Sequence, residues 1–249
     1  MTDHNQVHNN PQVETSIESL TVKAGDHNVH FRKAGNGPPV LLLHGGANES
    51  SDWVETMILL SKEYSVYAPD IIGYGLSDKG KDGYSLSDFT ESILALIRIL
   101  DLGPTFMVGH SLGGRVCLEI AFSHPEMVRK LVLIDTAGFS RLTYLGGFLG
   151  MMAWSVRKAL GRPQPYPRIL MGNGANPHWM CLEKLPELRV PTLIVWSRID
   201  PYYPLAGAIR ASELMPQVKL EIFPGYGHAP HRAEKDHFHG LLQEFLSQG

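Results

Sequence analysis

The sequence predicts an α/β fold: a mostly parallel central sheet with helices on both faces and a short segment inserted late in the chain. Three observations predict it. Short apolar runs alternate with helix-length amphipathic stretches from the first third onward, the pattern of parallel strands joined by crossover helices. The length of 249 residues suits one domain carrying an insertion better than two domains. Residues 106–114 read Phe-Met-Val-Gly-His-Ser-Leu-Gly-Gly, which sets Ser111 between glycines at a strand-to-helix corner.

Taken in order, Ser19–Ala24 and Val29–Lys33 alternate as short strands around the turn-forming Gly25-Asp26. Val40–Leu43 is a continuous apolar run that suits a strand buried on both faces. A helix from about Ser51 to Lys62, a strand Ser65–Ala68 and a loop through Gly73 and Gly75 follow. A second helix is expected from Ser87, as a cap, to about Leu100. Then come the strand Thr105–Val108, the helix after Ser111 and the strand Lys130–Asp135. Beyond the interruption, Pro191–Trp196 is a strand, Pro204–Met215 a helix, Val218–Phe223 a strand and His231–Ser247 the closing helix.

These readings divide the chain into a polar lead-in over 1–18, a core formed by 19–137 with 189–249, and a cap over 138–188. Within the cap, Leu142–Val156 carries no charge, yet its 15 residues include three glycines and fall short of a spanning helix. Two readings stand: a lid helix packed on the sheet domain, or a lid with one apolar face turned to a greasy substrate or a membrane surface. Either lies over the site, because α/β sheets bind ligands beyond the carboxyl ends of their strands.

Composition removes several classes. The net charge of −3 without clustered Lys or Arg gives no support to nucleic-acid binding. Cys117 and Cys181 make no disulfide framework, and Cys117 reads as a small buried hydrophobe. The start, Met1 to Asn10, has neither a basic nor an apolar run, so no secretory signal is expected and the default address is the cytoplasm.

The chemistry centres on Ser111. A serine hydroxyl is a weak nucleophile at neutral pH and needs a base, itself oriented by an acid. Asp200 follows the Pro191–Trp196 strand and His228 follows Val218–Phe223, giving the order Ser, Asp, His at one sheet edge. Asp135 also ends a strand and is a second candidate acid, read here as a turn residue. The N–H of Leu112 and that of Gly46, in His44-Gly-Gly46, are the candidate oxyanion donors. Asp70 is read as ordering its own loop, His44 as bracing the oxyanion loop, and His231, His237 and His239 as a solvated face, not a metal site. Trp53, Phe139, Trp154 and Tyr202 are candidate pocket walls.

Together, His44-Gly-Gly46, Asp70-Ile-Ile-Gly73-Tyr-Gly75-Leu-Ser77, Gly109-His-Ser-Leu-Gly113, the Asp200 loop and Gly227-His228 resemble the α/β-hydrolase fold family, of its capped, esterase-like kind. The resemblance runs from about residue 19 to the end. It implies Ser111, Asp200 and His228 as a triad, Gly46 and Leu112 as an oxyanion hole, and hydrolysis of a small, apolar carboxylic ester with no metal or organic cofactor. Carbon–carbon bond hydrolysis of a diketone uses the same triad, and Arg115 or Arg141 facing the cavity would favour it. A ligand-binding protein on the same scaffold is the alternative of another class. Two features depart from the family: Ser197 follows the tryptophan where a glycine is usual, and the cap is short.

Overall fold

A computed structural model describes residues 16–79, 84–161, 164–165 and 179–248. Its strands are β1 (Glu18–Ala24), β2 (His27–Ala34), β3 (Pro39–Leu43), β4 (Ser65–Pro69), β5 (Thr105–His110), β6 (Val128–Ile134), β7 (Thr192–Ile199) and β8 (Val218–Tyr226). They form one eight-stranded sheet in the order β1-β2-β4-β3-β5-β6-β7-β8. β1 and β2 pair antiparallel, as do β2 and β4, and all later pairs are parallel.

The helices are α1 (Val54–Leu60), α2 (Leu86–Ile99), α3 (Leu112–Ser123), α4 (Tyr144–Ala159), α5 (Leu205–Leu214), α6 (Pro230–Ala233) and α7 (Lys235–Ser247). The apolar runs resolve into two cores by strand alternation. Leu41, Leu43, Met107, Leu131, Leu133, Ile194 and Trp196 face the core that α2, α3 and α5 cover. Val40, Leu42, Val108, Val132, Ile134, Leu193 and Val195 face the opposite core, with Met57 of α1 and Phe238 of α7. A continuous run is therefore two half-faces, each supplied by every second residue.

Several boundaries differ from expectation for local reasons. The first helix is split into a 3-10 turn (Ser50–Trp53) and α1. The cap of α2 is Ser85, not Ser87: the Asp88 carboxylate accepts from Ser85 N–H while the Ser85 hydroxyl accepts from Asp88 N–H. β8 continues through Pro224 to Tyr226, which a proline allows because β8 is an edge strand. The closing helix breaks at Glu234 into α6 and α7. The expected lead-in lies outside the described residues as far as residue 15. Cys117 and Cys181 are buried free thiols, and burial pushes the thiol of Cys181 up to about 11.

Between β6 and β7, α4 is capped by Thr143, whose hydroxyl accepts from Gly146 N–H. No helix among the described residues is long and apolar enough to cross a membrane.

Candidate active site

β5 ends at His110 and α3 begins at Leu112, so Ser111 is the whole turn between strand and helix. Its backbone takes φ 50 and ψ −109, a region costly for a non-glycine residue. The corner closes only because its neighbours lack side chains. A Cβ at Gly109 would lie 2.5 Å from the Gly114 nitrogen, and one at Gly113 only 2.4 Å from the Leu43 carbonyl oxygen. Of the four non-glycine residues with positive φ among the described residues, three (Ala47, Ser111 and Asp135) follow β3, β5 and β6. The strain is concentrated at the carboxyl edge of the parallel sheet.

Asp200 and His228 come to the same edge. A register shift between β7 and β8 after Ser197 lets β7 stop at Ile199, while β8 runs on to Tyr226. Gly227 N–H, at φ 134, then bonds the Ile199 carbonyl and turns His228 inward. His228 Nε2 lies 2.9 Å from Ser111 Oγ, and His228 Nδ1 lies 2.8 Å from Asp200 Oδ2. The other carboxylate oxygen of Asp200 accepts from Tyr202 N–H at 2.7 Å. A hydroxyl, an imidazole and a buried carboxylate from three distant parts of the chain thus form one hydrogen-bonded line.

Asp135 joins them. It is fully buried, and Oδ2 is 3.9 Å from His228 Nδ1. Ser197 holds it, donating from its backbone N–H at 2.8 Å and from its hydroxyl at 3.0 Å. The serine that replaces the usual glycine therefore has a partner, which sequence reasoning missed. Burial, with the neighbouring Asp200 charge adding to it, pushes the Asp135 carboxyl up to about 7. These three side chains could also surround a cation: one ligand atom from each lies within 4.8 Å of the others. Ser197 donates to both Asp135 oxygens, and Tyr202 N–H and His228 Nδ1 to the two of Asp200.

Gly46 lies in the loop after β3. A Cβ at Gly45 would sit 2.6 Å from His110 Nδ1, so the loop packs tightly against the serine corner, with Gly46 next in line. Leu112 is the first residue of α3, where an N–H has no intrahelical acceptor. His44 braces this loop as expected: its Nδ1 bonds the Gly45 carbonyl, and Nε2 accepts from Ile71 N–H. Burial lowers its pKa and keeps the ring neutral. Asp70 accepts from Ser50 and Leu76 N–H groups, which hold its pKa low against the opposing effect of burial.

The pocket residues fare unevenly. Tyr202 stacks on the His228 ring at 4.6 Å between centroids. Trp53 and Phe139 do not form open walls: both are fully buried in packing, Trp53 against His231 and Phe139 against Trp196. Trp154 lies on α4 beneath Lys158. His231 is a second correction. It is buried, not solvated, and its ring bridges Trp53 to His110, whose Nε2 donates to the His228 carbonyl. Burial drives His231 to about 3 and His110 well below the usual range, so both are neutral. His237 and His239 have other partners, Phe223 and Thr56.

The two suspected arginines sit differently. Arg115 is buried, donating to the Trp179 carbonyl and paired with Glu119, while Arg141 is exposed. A recess of about 270 Å³ adjoins the loop after β3, lined by Glu49, Tyr74, Lys79, Arg157 and Gln164.

The model of the alpha/beta hydrolase fold family matches residues 38–164, just over half the chain. The chain is 27% identical to the pimeloyl-[acyl-carrier protein] methyl ester esterase of Vibrio parahaemolyticus, over 88% of this chain and 98% of that protein. It is 24% identical to the 2-hydroxymuconate semialdehyde hydrolase of Pseudomonas sp., over 98% and 97%. Among solved structures, 2-hydroxy-6-oxo-6-phenylhexa-2,4-dienoate hydrolase from Rhodococcus sp. superposes with a TM-score of 0.81 at 21% identity, covering 94% of this chain and all of that one. Family match, strained serine corner and sheet order agree, and the chain belongs to the α/β-hydrolase fold family.

Proposed function

We propose that the protein is a serine hydrolase that cleaves carboxylic esters through an acyl-enzyme on Ser111. The observation that carries this reading is the unbroken hydrogen-bonded line from Ser111 Oγ through His228 to Asp200. In it, Ser111 attacks the ester carbonyl as His228 Nε2 takes the hydroxyl proton. Asp200 keeps the other proton on Nδ1 and stabilises the imidazolium. The N–H groups of Gly46 and Leu112 receive the oxyanion, and one such donor contributes about 3 kcal/mol. His228 then protonates the leaving alcohol, and a water activated by the same imidazole releases the acid.

The test is labelling by a fluorophosphonate probe, beside turnover of aryl esters of rising acyl length. Wild type should label and turn over. Ser111→Ala should not label, and its kcat should fall by roughly 10⁴ or more. A wild-type protein that neither labels nor hydrolyses any ester or diketone would overturn the reading.

Carbon–carbon hydrolysis is the second reading. Relatives of both activities match the chain over most of its length, and Lys79 and Arg157 in the recess beside the oxyanion loop are cations suited to a substrate carboxylate. Loss of a dienoate chromophore on incubation with a 2-hydroxy-6-oxo-dienoate, at a rate above that for any ester, would favour this reading.

A further inference from the structure

Surface helices normally turn their large apolar residues inward and their polar ones out. α4 does the reverse. Its only buried residues are Gly146 and Gly150. A Cβ at Gly146 would lie 2.7 Å from the Tyr202 Cα, so the helix lies directly against the loop that follows Asp200. Thr143 reinforces this seat, with its N–H bonded to the Tyr202 carbonyl and its hydroxyl to that of Pro201. The outward face carries Tyr144, Phe148, Met152, Val156 and Leu160. They are spaced by four and so form one continuous ridge, beside which Leu145 also lies. Every one of the six is at least 50% exposed, and Tyr144 is 100% exposed. An apolar ridge of about 24 Å on a surface helix marks an interaction site.

Charge identifies the occupant. Between Thr136 and Leu182 the chain has five basic residues (Arg141, Arg157, Lys158, Arg162 and Arg168) and no acidic one, while the whole chain carries −3. Exposed Arg141 and Lys158 flank the two ends of the ridge, and Lys158 lies over the Trp154 ring. Two copies meeting through this segment would bring like charge together. An anionic partner with an apolar interior satisfies both features, and a bilayer containing acidic lipids has both.

We infer that the outer face of α4 docks on an anionic lipid bilayer, with its ridge sunk at the headgroup boundary and its cations on lipid phosphates. Because α4 is seated on the loop next to Asp200, and Tyr202 stacks on His228, docking sets the candidate active site beside the membrane surface. Binding of this kind needs no turnover, so it stands or falls apart from the esterase reading.

Flotation with vesicles tests it, using phosphatidylcholine alone and phosphatidylcholine mixed with phosphatidylglycerol in equal parts. The protein should float with the mixed vesicles, release at high salt and float weakly with phosphatidylcholine. Ser111→Ala should float as wild type does. The double variant Phe148→Asp, Met152→Asp should lose at least about tenfold in partitioning, while its circular dichroism and its turnover of a soluble acetate ester stay unchanged. Arg141→Glu with Lys158→Glu, which leaves the ridge intact, should lose about as much, since each cation contributes roughly fivefold. Failure to float with mixed vesicles, or flotation unaffected by the ridge variant, would overturn the inference. So would a concentration-dependent dimer abolished by that same variant, which would make a second copy the occupant.

Discussion

His228 Nδ1 lies 2.8 Å from Asp200 and 3.9 Å from Asp135, with both carboxylates buried. Distance and prior commitment separate their roles: Asp200 is within hydrogen-bond reach, whereas Asp135 is held back by Ser197. We expect Asp200→Asn to lower kcat by roughly 10⁴, as loss of the tautomer-fixing acid does. Asp135→Asn, which keeps an acceptor for Ser197 N–H, should stay within about tenfold of wild type. Equal losses in the two variants, measured as kcat, would make the carboxylates a single unit. Asp135 also has a pH signature. Its folded pKa, about 7, stands above its unfolded value, so the folded state holds the extra proton, and stability from this group falls as pH rises from about 4 to 7. The non-ionising Asp135→Asn should therefore gain Tm relative to wild type between pH 5 and pH 8. An equal Tm difference at both would show Asp135 already charged at the lower pH. Its position at a strand end was legible in the sequence. Its grip by Ser197 was not, because those two residues meet only through the pairing of β6 with β7.

At the scale of elements, the serine corner depends on how closely α3 approaches β3. Gly113→Ala would force a Cβ to within 2.4 Å of a backbone carbonyl that cannot rotate away. Overpacking of this kind costs about 1–3 kcal/mol, visible as a lower urea midpoint, and should reduce turnover as well because the strained turn would open. A variant with unchanged midpoint would show that the corner has slack. The apolar strands β3, β5, β6 and β7 were legible within one to three residues at most ends, since runs such as Val40–Leu43 have no other use in a chain of this pattern. Helix ends were less so. The Ser85 cap is chosen over Ser87 by where Asp88 falls, and the break at Glu234 has no glycine or proline at that position to announce it. The uncharged run of α4 was visible too, but hydrophobicity along a helix does not say which face is free when small residues take the inner one. His231 misled in the same way: its spacing from His237 and His239 says nothing of the Trp53 ring it covers.

Across the whole molecule, the residues of the hydrogen-bonded line follow β5, β7 and β8, while α4 lies in the excursion between β6 and β7. That excursion starts and ends on neighbouring strands whose register is set from within the sheet, Leu131 opposite Thr192 and Ile134 opposite Val195. Nothing in that pairing depends on how long the intervening segment is or what it is made of. Everything between Asp135 and Pro191 can therefore change in length or composition while Ser111 and His228 keep their places at the same rim. The walls above the rim are thus free to vary in shape without disturbing the line of Ser111, His228 and Asp200 beneath them.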